Sequence, residues 1–152
     1  MIIGINATKD AIFVAETRIV DERFQVSKVL RVQFEIRHAG DLSDLLQNIS
    51  TILSHDAGSS DSSVAVLRCS GGQFGASVEA IKAEAIVELS AYQKGLPITL
   101  VAPQSLKKVL ECGSGQKWQE KSRLMFNSVG EHKYWTQGAN GAVCAAYKLA
   151  KG

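Results

Sequence analysis

The chain has 152 residues, 45% hydrophobic and 21% charged, with two prolines and a formal net charge of +2. That length fits one domain with a sizeable core; the apolar runs stop far short of the roughly 18 residues of a membrane span, and no basic n-region of a signal peptide precedes them. Charge is uneven: residues 1–102 carry nine Lys/Arg against twelve Asp/Glu, a net of −3, whereas residues 103–152 carry eight against three, a net of +5. A basic end suits nucleic acid or an acidic partner, and solvated lysines on amphipathic helices give the same count.

Ile2-Ile3-Gly4-Ile5-Asn6 is an apolar run closed by an amide. With the turn residues 7–10 and the returning run Ala11–Thr17, it predicts a hairpin whose first strand is buried on both faces, at the centre of a sheet. Residues 29–36 alternate apolar and polar, with Arg31, Gln33 and Glu35 outward, and so predict a third strand at the edge. The period then changes. Leu42, Leu45, Leu46, Ile49, Ile52 and Leu53 fall on one face of a helix, with Asp41 as its N-cap.

A buried strand is predicted at 63–68, opening into a glycine-rich loop, Cys69-Ser70-Gly71-Gly72-Gln73-Phe74-Gly75. Its glycines could bring backbone N–H groups to an anion at Ser70, Gly71, Gly72 and Gly75; the run matches neither the Walker nor the dinucleotide pattern. The longest helix follows over 78–94, with Val78, Ile81, Ala85, Leu89 and Tyr92 as its core stripe. Ile86 and Val87 fall off that stripe as surplus apolar surface, which predicts a homodimer through this helix. A short strand at 98–101, a helix opened by Pro103, a weakly patterned segment over 111–137 and a last helix from Asn140 complete one mixed α/β domain.

In pattern more than in identity, the chain resembles the ribonuclease H-like fold, and within it the RuvC-type Holliday junction resolvases. The resemblance rests on Ile-Ile-Gly-Ile-Asn at 2–6, Val-Ala-Val-Leu-Arg at 64–68, the helix and strand over 77–107, and Gln-Gly-Ala-Asn-Gly-Ala at 137–142. It implies a five-stranded mixed sheet with helices on both faces, and a site of four carboxylates for two divalent ions. Here Asn6 stands at the first carboxylate position, Leu67, Arg68 or Cys69 at the second, and Gln137 and Asn140 at the last pair. Amides supply no negative charge, so the expectation is a catalytically degenerate domain without bound metal or cofactor. It would bind nucleic acid or a protein without cutting.

The competing expectation is an enzyme of other chemistry. Cys69, in a glycine loop before a helix N-terminus, would be a nucleophile of lowered pKa. A structural homodimer is the third reading. Cys69, Cys112 and Cys144 form no CxxC or zinc-type cluster, which fits free thiols in a reducing cytoplasm.

Overall fold

β1 (Ile2–Ala7) is the middle strand of a five-stranded sheet in the computed structural model, which describes residues 1–56, 61–69, 76–130 and 132–152. It pairs antiparallel with β2 (Ala11–Val20) and parallel with β4 (Ser63–Leu67). β3 (Arg23–Gln33) and β5 (Ile98–Val101) form the two edges, in the order β3-β2-β1-β4-β5. The edge strand expected at 29–36 begins six residues earlier, because Asp21 and Glu22 take positive φ and make a tight turn directly from β2. A register shift between Glu16 and Thr17 marks a bulge in that ribbon.

Strand alternation divides the core. Ile3, Ile5, Val64 and Val66 point to one face, where they meet Leu45, Ile49 and Leu53 of α1 (Ala39–Asp56) and Ala83, Val87 and Ala91 of α2 (Val78–Gln93). Asp41 lies in the first turn of α1, where its Oδ2 accepts from the backbone N–H of Arg37 at 2.8 Å and of His38 at 3.3 Å. α2 starts at Ser77, whose Oγ accepts from Ala80 N at 3.1 Å.

The orientation of α2 corrects the stripe read from the sequence. Val78, Ile81, Leu89 and Tyr92 are exposed, at 61%, 51%, 43% and 78% of their surface, while Val87 is fully buried and Ile86 packs on the core. The sheet side is lined by Ala80, Ala83, Val87 and Ala91, together with Ser90, whose hydroxyl lies 2.9 Å from that of Ser50 on α1. Small residues win that face because they let the helix approach the strands closely.

The other face receives α3 (Gln104–Val109), α4 (Trp118–Met125), a short segment kinked at Gly138 (Trp135–Ala139) and α6 (Asn140–Lys151), with the short α5 (Asn127–Gly130) between. Residues Gly141 to Ala146 are all buried. The reason is contact at backbone distance: a Cβ on Gly4 would overlap the Ala142 carbonyl, so β1 and α6 touch through a glycine.

Candidate functional site

One row of residues crosses the sheet on the α6 side: Arg31 opposite Phe13, Phe13 opposite Asn6, Asn6 beside Leu67, and Leu67 beside Val101. Phe13 packs beneath Trp135, Ala139 and Ala142, and Leu67 and Val101 beneath Leu106, Cys144 and Ala145. The ends of β1 and β4 therefore meet the start of α6 at Asn6 and Leu67.

What faces them from the helix is glycine. Asn6 Nδ2 donates to the Gly138 carbonyl oxygen at 2.9 Å. A Cβ on Gly138 would strike the Phe13 ring, and one on Gly141 would lie 2.5 Å from Asn6 Nδ2 and 2.8 Å from Leu67 Cδ2. Asn6, Leu67, Gly138 and Gly141 thus converge with no space left between strand and helix.

The residues singled out from sequence are distributed unevenly around this point. Asn6 is central. Parallel register gives the place beside it to Leu67, and Arg68 and Cys69 fall beyond the row. Arg68 is exposed, and its charge acts on Glu88 of α2. Gln137 is exposed, and Asn140 turns its Oδ1 back to the Gly141 N–H at 2.7 Å. Gly138 and Gly141, one residue further along in each case, occupy the inward positions. Sequence reading passed over them because a glycine carries no chemistry to notice; their i, i+3 spacing at a helix start was the available signal. Ser70, Gly71, Gly72 and Gly75, the expected anion loop, lie outside the described residues.

Cys69 differs from the activated thiol expected of it. Its N–H donates to Glu84 Oε2 at 3.0 Å, and its Sγ donates to the Ala7 carbonyl at 3.9 Å. Burial, then the Glu84 carboxylate, push the thiol up to about 12, the reverse of what nucleophilic use at neutral pH needs. Two carboxylates of α2, Glu84 and Glu88, outweigh any favourable helix-terminus field.

The two-ion chemistry implied by the resemblance requires hard oxygen donors bearing negative charge. An amide already committed to Gly138, a leucine and two glycines do not fit such ions. Asp10, Glu16 and Glu111 do not supply the want; among the described residues, no three His, Cys, Asp or Glu side chains are grouped to hold a metal ion.

Sheet order, strand directions and the helices across both faces define the α/β ribonuclease H-like fold. No family model and no curated protein matches the chain. Among solved structures, Thermus thermophilus RuvC superposes with a TM-score of 0.75 at 14% identity, covering 99% of this chain and 95% of that one. T. thermophilus RuvC in complex with a Holliday junction substrate gives 0.73 at 15% identity, covering 98% and 91%. The yeast mitochondrial Holliday junction resolvase gives 0.60 at 11% identity, covering 96% and 77%. The fold is that of the RuvC-type resolvases. Among the described residues, no helix is long and apolar enough to cross a membrane.

Proposed function

We propose that this chain is a catalytically degenerate RuvC-like domain that binds nucleic acid without hydrolysing it. The observation that carries the reading is the convergence of Asn6, Leu67, Gly138 and Gly141: the point where strand ends meet α6 holds an amide, a leucine and two glycines, and no carboxylate. The likeness to a resolvase bound to a Holliday junction, and the +5 balance of residues 103–152, support nucleic acid as the partner. The free thiols suit a cytoplasmic setting.

Incubation with four-way junction and RNA–DNA hybrid substrates in Mg²⁺ or Mn²⁺ tests the reading. Binding that persists in EDTA, with no cleavage in either ion, is the expected result. Cleavage that disappears in Asn6→Ala overturns it.

We propose further that two copies pair through α2. The exposed Val78, Ile81, Leu89 and Tyr92 replace Ile86 and Val87 as the apolar surface in the argument. Glu79 near the start of the helix and Lys94 at its C-cap give an antiparallel two-fold contact complementary charge at both ends. Sedimentation of the wild type beside Leu89→Glu decides it; a monomeric wild type at micromolar concentration ends the proposal.

A further inference from the structure

Arg31 is the outermost member of the cross-sheet row that holds Asn6, and the packing around it is unusual for an arginine. Its guanidinium carbon lies 5.8 Å from the centre of the Tyr134 ring, and Lys133 Nζ lies 4.9 Å from the same centre. Tyr134 is itself held by Phe13, at 6.3 Å between ring centres, and by His132, at 5.2 Å. Arg31 Nε is buried and has no hydrogen-bond partner among the described residues. The ion pairs among those residues join Arg37 to Glu35 and His38 to Asp41, and neither Arg31 nor Lys133 has one.

Two cations on one ring, without a counter-charge, repel each other, and a buried guanidinium N–H without an acceptor carries a desolvation cost. An anion placed between them would relieve the repulsion. The planar guanidinium fork matches a phosphate, and the ring beneath holds it in place before any ligand arrives. Along the same strand, a pocket of about 280 Å³ lined in part by Ser27, Lys28, Val29 and His132 continues the surface. An extended polyanion with an aromatic face beside its charges suits such a surface better than a single small anion does.

We infer that Arg31, Lys133 and Tyr134 form a seat for a backbone phosphate of nucleic acid, with the Lys28–His132 pocket taking the adjoining nucleotide. The inference rests on the proposed nucleic-acid-binding function and locates it. The seat is built on β3 and on the segment before α6, not on the four residues at the strand ends. The domain would thereby keep hold of a strand beside a point where it cannot cut.

Fluorescence anisotropy with a labelled four-way DNA junction and a labelled single strand, across a salt series, tests this. The variants are Arg31→Gln, Lys133→Gln and their combination, with Arg37→Gln, beside the start of α2 on the other face of the sheet, as a charge control. The double variant should bind at least about tenfold more weakly at fixed salt. Its salt dependence should be shallower by about two contacts, while Arg37→Gln follows the wild type. Lys133 is exposed, so Lys133→Gln stands as a test even if Arg31→Gln fails to fold. A wild type that binds neither probe sinks this inference and the proposed function together. Wild-type binding that the Lys133 and double variants reproduce, in affinity and in salt slope, sinks this inference alone.

Discussion

The two helices that flank β1, α2 on one face of the sheet and α6 on the other, both turn alanine toward the strands, yet they end in different situations. The first half of α6 is covered by the kinked 135–139 segment, α3 and α4, and its residues 141–146 are buried throughout. α2 keeps Ala80, Ala83, Val87 and Ala91 inward and leaves Val78, Ile81, Leu89 and Tyr92 in the open. Hydrophobicity alone therefore does not say which side of a helix meets the sheet. Side-chain size decides it, because a helix held at close range has no room for leucine or tyrosine beneath it.

The strongest way to break this comparison is Gly4→Ala. The added methyl would overlap the backbone carbonyl of Ala142, which cannot swing aside as a side chain could, so α6 must move. A loss of about 3 kcal/mol or more in urea unfolding is expected; a near-neutral result would show that the helix is not seated as described. Next comes the pair Val87→Ala and Ile81→Ala. The first empties a fully buried site and should cost about 2 kcal/mol, whereas the second, on the open side, should change monomer stability by less than about 0.5 kcal/mol. Equal costs would mean that the outward face of α2 is covered within the chain.

A smaller effect is expected at Glu88. Burial, then the nearby Glu84 carboxylate, raise its pKa above the ordinary value, with Arg68 opposing them. A raised carboxylate favours the protonated folded form, so its contribution is complete below the unfolded pKa and is lost as pH rises through the folded one. Glu88→Gln should flatten that decline in a pH series of melting curves. Solvent screening keeps the difference below about 0.5 kcal/mol. The smallest expected effect is none: millimolar Mg²⁺ should leave the melting temperature where EDTA leaves it, since the strand-end residues offer no ligand set. A rise of several degrees with Mg²⁺ would show a site made of other residues.

The fold was legible because its signals are periodic. Ile3, Ile5, Val64 and Val66 announce a buried parallel pair, and the shift to Leu45, Ile49 and Leu53 announces the crossover helix. The place of the candidate site at the end of β1 was legible too, from the polar Asn6 after an apolar run. Its occupants were not. Whether Leu67 or Arg68 stands beside Asn6 depends on strand register, which a one-residue slip reverses. Gly138 and Gly141 matter through how near α6 comes to the sheet, a distance that exists only once both are folded. Arg31 looked like one more outward residue of an alternating edge strand; Tyr134, more than a hundred residues later, is what covers it.

The touch between Gly4 and Ala142 also bears on how the chain acquires its structure. The β1–β2 hairpin and its pairing with β3 join neighbours and can form early, but the face that receives α6 depends on a segment almost 140 residues downstream. On a ribosome, that apolar side of the sheet stays uncovered until the last helix has left the exit tunnel. The interval between the two is when the nascent chain is most open to aggregation and to chaperone capture.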